Sequence, residues 1–211
     1  MKLVELIQSP ALADEFERLR RDLGACHIAV TGAHGAEGVT IVAARLACSL
    51  SSAGRVLLAE GNLRLPSLAD ELGLSGPGLL DWDLQGPLPT QAMPNHPALS
   101  VLTAGKTGAA LDAGDAQSLP ARLGAAARRA REDFSCVVWD TPAATRFPDL
   151  LAVAGHCDGV LVVVEMDRSR VDGLQFLRDT LERAQVRILG CVLNRSGRYW
   201  PPRTRYQSAS M

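Results

Sequence analysis

The sequence predicts a doubly wound α/β fold, a mostly parallel sheet flanked by helices. Strand-length apolar runs recur at residues 26–31, 55–60, 99–103, 136–140, 159–165 and 187–193, and most are continuously apolar rather than alternating. Such runs suit parallel strands buried on both faces. Helical patterns at 40–53, 119–132 and 171–184, with a shorter one at 148–154, separate most of these strands. Alternating strands and helices, joined by right-handed crossovers, wind into one open sheet. A chain of 211 residues suits one domain with ordered insertions.

The elements follow in order. Residues 11–23 read as an amphipathic helix, with Leu12, Phe16, Leu19 and Leu23 on one face and Glu15, Arg18 and Arg21 on the other. The first strand then runs into a glycine-rich loop, Thr31-Gly32-Ala33-His34-Gly35-Ala36-Glu37-Gly38-Val39-Thr40, and the first sheet-packing helix. Residues 76–97 are rich in glycine and proline and are expected to leave the sheet as an excursion. The domain is expected to span residues 1–195. Residues 196–211 hold Pro201, Pro202 and several serines and arginines, and are expected to be a flexible tail unless a partner holds them.

Composition narrows the function classes. A formal net charge of −1 predicts no general affinity for nucleic acid. No apolar stretch reaches the roughly 18 residues of a spanning helix, and the first ten residues lack a secretory pattern, so the expected location is the cytoplasm. Cys26, Cys48, Cys136, Cys157 and Cys191 show no CxxC pairing and read as small buried hydrophobes in a reducing compartment. The chain has 20 arginines but only two lysines, Lys2 and Lys106.

Strand, glycine-rich loop and helix together form the arrangement in which backbone N–H groups and a helix N-terminus bind an anion. Gly35, Glu37, Gly38, Val39 and Thr40 are the candidate phosphate-contacting residues. A working loop of this kind needs a lysine after the last glycine, to neutralise the β- and γ-phosphates, and a Ser or Thr beside it for Mg²⁺. Val39 stands at the lysine position, and Thr40 supplies the hydroxyl. His34 lies in the same loop and is read as solvent-exposed, within reach of a phosphate.

Further segments share a pattern. Val56-Leu57-Leu58-Ala59-Glu60-Gly61-Asn62-Leu63-Arg64-Leu65-Pro66, Gly78-Leu79-Leu80-Asp81, Leu99-Ser100-Val101-Leu102-Thr103-Ala104-Gly105, Val137-Val138-Trp139-Asp140-Thr141-Pro142 and Gly190-Cys191-Val192-Leu193-Asn194-Arg195 occur in order. Together with the loop, with Asp149, and with Glu15-x-x-Arg18-x-x-Arg21 they resemble the bacterial tyrosine kinases, cytoplasmic P-loop proteins that regulate capsule and exopolysaccharide export. The resemblance runs from about Glu15 to Arg195. It implies a P-loop NTPase-like fold, Asp140 and Thr40 as Mg²⁺ ligands, and Asn194 and Arg195 beside a nucleotide base. It also implies a self-association face at Glu15, Arg18 and Arg21.

The departures from that family bear on activity. The positions of its two aspartates at the end of the second strand hold Glu60 and Asn62, and its lysine is Val39; of the former catalytic positions only Asp140 keeps its residue type. Lys106 is the sole internal lysine that could substitute. Tyr199 and Tyr206 are a sparse counterpart of the family's C-terminal tyrosine cluster.

The leading expectation is therefore a catalytically inactive, pseudokinase-like subunit without a required cofactor. Its expected partner is the cytoplasmic part of a membrane polysaccharide co-polymerase, which would bring it to the inner membrane, and homo-oligomers are a further expectation. A second reading is a weak ATPase or tyrosine kinase in which Glu60, Asp140 and Thr40 hold Mg²⁺ with ATP or ADP and an arginine of a neighbouring subunit replaces the lysine. A positioning protein like MinD or ParA ranks last, because the tail has no apolar helical stripe and the chain is not basic.

Overall fold

The computed structural model describes Leu3, residues 12–105 and residues 113–195, with backbone alone for 113–117. Lys106, Tyr199, Tyr206 and the tail lie outside the described residues. Seven strands, β1 (His27–Gly32), β2 (Val56–Glu60), β3 (Gln91–Met93), β4 (His96–Leu102), β5 (Cys136–Asp140), β6 (Gly159–Glu165) and β7 (Ile188–Asn194), form one sheet. Its order is β3-β4-β2-β5-β1-β6-β7, parallel except for the β3–β4 pair. The chain steps from β1 to one side of the sheet for β2 and returns to the other for β6, so the sheet reverses direction at β1. Open α/β sheets place their binding crevice at the carboxyl ends of the strands beside such a reversal.

Both faces are buried, as continuous apolar runs require. On one face Ile28, Val30, Val56, Leu58, Val138, Leu161 and Val163 pack beneath α1 (Ala13–Leu23) and α2 (Val39–Leu50). The alternate residues Ala29, Leu57, Ala59, Val137, Trp139, Val160 and Val162 pack beneath α4 (Ala113–Asp133), α5 (Asp149–Ala154) and α6 (Val171–Arg183). Successive strand side chains point to opposite faces, so each strand supplies both cores at once. In α6, Leu177 and Leu181 are four residues apart and both face inward, while Arg178, Asp179 and Glu182 form surface ion pairs.

Three elements differ from the sequence reading. The 76–97 excursion returns to the sheet: β3 and β4 pair antiparallel around a turn in which Asn95 takes φ 65°. Pro94 sits in that turn and Pro97 near the start of β4, ahead of the pairing with β2 that begins at Leu99, so neither interrupts that inner ladder, though both disguise the hairpin in the sequence. A short helix α3 (Leu68–Leu72), closed by Gly73 at φ 65°, follows Pro66. Finally, α4 begins at Ala113 rather than 119 and carries Pro120 within it. Proline in a first turn lacks only an N–H that would be unpaired there, which made it look like a helix start.

The cysteine reading also needs correction. Cys136 is buried and Cys48 and Cys157 are half-buried, but Cys26 and Cys191 are exposed. Cys26 precedes β1 rather than lying within it, and β7 is an edge strand with one uncovered side.

Candidate functional site

The glycine-rich loop joins β1 to α2 at the carboxyl edge of the sheet. Gly35, Ala36 and Gly38 all adopt left-handed backbone, with φ of 92°, 67° and 88°. Left-handed turns in such a loop can bring backbone N–H groups toward one centre. Gly38 is required for a second reason, because a Cβ there would lie 2.3 Å from Nδ2 of Asn194.

Glu37 takes part of that loop for itself. Its side chain is almost fully buried, and its carboxylate accepts hydrogen bonds from the backbone N–H groups of His34 and Gly35, both at 2.7 Å. It lies so close over Gly32 that a Cβ there would meet Oε2 at 2.4 Å. Two donors of an anion-binding loop are therefore engaged by an anion of the chain itself. His34 is half-buried rather than solvent-exposed: its ring rests on Gly173, where a Cβ would meet it at 2.3 Å, and Nδ1 lies 3.6 Å from Oε1 of Glu37. Val39 turns away from the loop to pack against the core beneath α1 and α2.

The end of β7 braces the loop from the other side. Asn194 donates from Nδ2 to the carbonyl of Glu37 at 2.7 Å, and its Oδ1 accepts from the N–H of Arg195 at 2.9 Å. Arg195 pairs with the buried carboxylate of Glu165 at 2.9 Å and reaches the carbonyl of Ala36 at 3.4 Å. Asn194 and Arg195 thus each bond a carbonyl of the loop. The second support is Thr145, whose hydroxyl donates to the carbonyl of Ala33.

Glu60 and Asp140 end neighbouring strands and sit opposite one another in register. Asp140 is buried, and the Thr40 hydroxyl hydrogen-bonds its carboxyl. Burial, and secondarily the charges of Glu60 and Glu71, push its pKa up to about 7, against the opposing pull of Thr40. Glu60 is also buried, yet its two oxygens accept from the backbone N–H groups of Ser67 (2.5 Å), Leu68 (2.9 Å) and Ala104 (2.9 Å). Burial raises its pKa against the pull of those three amides. It tethers the start of α3 and the end of β4 to the end of β2.

Asn62 reaches a buried position, and its Oδ1 has no hydrogen-bond partner among the described residues. Asp149, nine residues beyond Asp140, is paired with Arg64 at 2.7 Å, and the Arg64 guanidinium also lies over the Phe147 ring. Glu15, Arg18 and Arg21 sit on α1, remote from this edge. The ion pair on that helix joins Glu17 to Arg20, and Glu17 also accepts from Ser49 of α2. Sequence reasoning missed Arg146, an exposed residue of the loop after β5. Its guanidinium carbon would lie 3.6 Å from a Cβ placed on Gly35, and the guanidinium makes no hydrogen bond or ion pair among the described residues. No motif marks that position, so only the fold could bring it to the loop.

The same arrangement of strands and helices occurs in solved proteins. The chimerical protein CapA2B2 superposes with a TM-score of 0.78 at 21% identity, over 90% of this chain and 87% of that one. The VpsO kinase domain gives 0.74 at 23% identity, over 92% and 96%. MinD of Pyrococcus horikoshii, solved with Mg-ADP, gives 0.66 at 22% identity, over 84% and 74%. This chain has the P-loop fold of the bacterial tyrosine kinase domains and the MinD ATPases. No protein-family model matches the chain, and no curated protein matches it in sequence.

The P-loop site can be tested against the group such folds hold. Thr40 and Asp140, one hydroxyl and one carboxylate in contact, suit a magnesium ion. The phosphate seat does not suit a nucleoside triphosphate: among the described residues no lysine reaches it, Glu37 puts a carboxylate on its amides, and Glu60 is engaged by backbone. Like charges repel strongly in a buried setting, so Glu37 opposes phosphate where Val39 offers nothing to offset it.

Proposed function

We propose that this chain is a catalytically inactive relative of the bacterial tyrosine kinase domains, a pseudokinase that acts through its surface as a regulatory or scaffold subunit. The observation that carries this reading is the Glu37 carboxylate on the N–H groups of His34 and Gly35, in a loop whose lysine position is Val39. Phosphoryl transfer depends on preorganised positive charge around the transferring group, and removing such a contribution costs orders of magnitude in rate. The sequence resemblance supports a partner of one class, the cytoplasmic part of a membrane polysaccharide co-polymerase. Among the described residues no helix is long and apolar enough to cross a membrane, so a membrane station would come through that partner.

Calorimetric titration with Mg-ATP tests the reading. The wild-type protein is expected to show no saturable heat at millimolar nucleotide, whereas a Val39→Lys, Glu37→Gln double variant is expected to bind. Saturable binding with turnover in the wild type, lost in Asp140→Ala, would overturn it.

One observation favours a second reading, a weak ATPase. Arg146 already stands beside Gly35 and could supply within the chain the cation that Val39 lacks, because a guanidinium can bind phosphate through two parallel hydrogen bonds. In that case Arg146→Ala abolishes nucleotide turnover while leaving unfolding unchanged.

A further inference from the structure

The opposite edge of the sheet carries two thiols that the proposed function does not use. Cys26 lies immediately before β1 and Cys136 opens β5. These strands are parallel neighbours in the register His27 to Val137, so one residue earlier Cys26 stands across from Cys136. Val137 N–H donates to the carbonyl of Cys26 at 2.8 Å, the bond that closes the His27–Val137 pair and fixes Cys26 against β5. Facing residues of adjacent parallel strands point to the same side, and the Cys26 thiol acts on that of Cys136 as a neighbouring group. Neighbouring strands lie ~4.8 Å apart, inside the ~4.4–6.8 Å Cα separation that a disulfide spans.

The two thiols differ in access. Cys26 is exposed and Cys136 is buried. Burial pushes the Cys136 thiol up to about 12, and its neighbour Cys26 adds to the shift. Cys136 is therefore slow to meet a reagent from solution but well placed to meet a group formed on Cys26. The site itself is held in place: the backbone N–H groups of Cys26 and His27 both donate to Asp158, at 3.0 and 2.9 Å, and Arg131 pairs with Asp158 at 3.0 Å.

We propose that Cys26 and Cys136 are a redox-active pair that closes to an intramolecular disulfide across β1 and β5 when the protein meets a peroxide. The Cys26 sulfur attacks the peroxide and becomes a sulfenic acid, with release of water when the oxidant is hydrogen peroxide. The Cys136 sulfur then attacks the sulfenic sulfur, loses its proton, and the hydroxyl leaves as a second water. The two thiols give up two electrons to the O–O bond, and a small dithiol reverses the step. The cross-link joins the two strands whose far ends carry the P-loop and Asp140. The inference does not depend on whether nucleotide binds there.

Hydrogen peroxide treatment of the full chain, followed by alkylation and peptide mapping without reductant, tests it. The expected result is a fall from five alkylatable thiols to three, with the Cys26 and Cys136 peptides joined and released by dithiothreitol. Cys136→Ser is expected to leave Cys26 as a sulfenic acid that a diketone probe captures, and Cys26→Ser to leave Cys136 alkylatable after denaturation. A wild-type protein in which Cys26 oxidises alone, joins another chain, or stays as reduced as the half-buried Cys48 would overturn the proposal. These readouts use the wild type and Cys26→Ser, so they survive if Cys136→Ser does not fold.

Discussion

The ends of β2 and β5 carry carboxylates side by side, and the chain treats them in opposite ways. Glu60 is one methylene longer than Asp140, and that length lets it bend back to three backbone amides. Asp140 keeps the shorter arm, bonds Thr40, and has its pKa pushed up to about 7 by burial. One carboxylate is part of the fold's framework, while the other is held buried beside a hydroxyl at a cost in stability.

If Glu60 is framework, removing it should give the largest effect. Glu60→Ala leaves the N–H groups of Ser67, Leu68 and Ala104 buried without an acceptor, and unpaired buried donors cost ~1–3 kcal/mol each. A loss of about 3–5 kcal/mol in urea unfolding is expected, with α3 the first element to exchange its amides. A loss below about 1 kcal/mol would show that the three bonds are incidental.

Arg64 tests the neighbouring support. Asp149 is buried, while Arg64 is only partly so and also stacks on Phe147. Breaking a buried pair strands a charge. Because solvent reaches Arg64, Arg64→Ala should cost about 1–3 kcal/mol, and Arg64→Ala with Asp149→Asn should recover more than half of it. Failure of the double variant to recover would move the effect from the ion pair to the Phe147 stack.

Asp140 should behave in the reverse sense. Its folded pKa is raised, so the folded state holds a proton that the unfolded chain has already released, and stability falls as pH rises from the ordinary carboxylate range through about 7. The raised pKa of Glu60 contributes with the same sign. Asp140→Asn should flatten the decline between about pH 5 and about pH 8, and stabilise the protein by about 1–2 kcal/mol at the upper end. Thermal unfolding over that range is the check; a variant less stable than wild type at every pH would show that the Thr40 bond outweighs the buried charge.

The fold was largely legible because its strands are continuously apolar and separated by helices, a pattern with few solutions. The 76–97 segment was not, since prolines that usually break strands here flank an edge hairpin. At the site, Val39, Thr40 and the loop's glycines were read from motif spacing and Asp140 from the family resemblance, and the fold gathers them at one edge of the sheet. What the sequence could not show was where carboxylates and amides point. Nothing in Ala36-Glu37-Gly38 says that Glu37 folds back on its own loop, and Asn194 reads equally well as a base contact or as a brace. Arg146 lies over a hundred residues from Gly35 in sequence, and its approach depends on β5 lying beside β1.

The smallest effect on the monomer is expected at the other candidate surface. Arg18 is exposed and makes no hydrogen bond or ion pair among the described residues, while the neighbouring Glu17 is tied to Arg20 and Ser49. An exposed arginine whose guanidinium has no partner among the described residues should cost under about 0.5 kcal/mol when replaced by alanine. If α1 is an assembly face, Arg18→Ala with Arg21→Ala should nonetheless lower the sedimentation coefficient at concentrations where the wild type associates. If both proteins sediment as monomers throughout, Glu15, Arg18 and Arg21 are a solvated helix face, and any scaffold role must be carried by another surface.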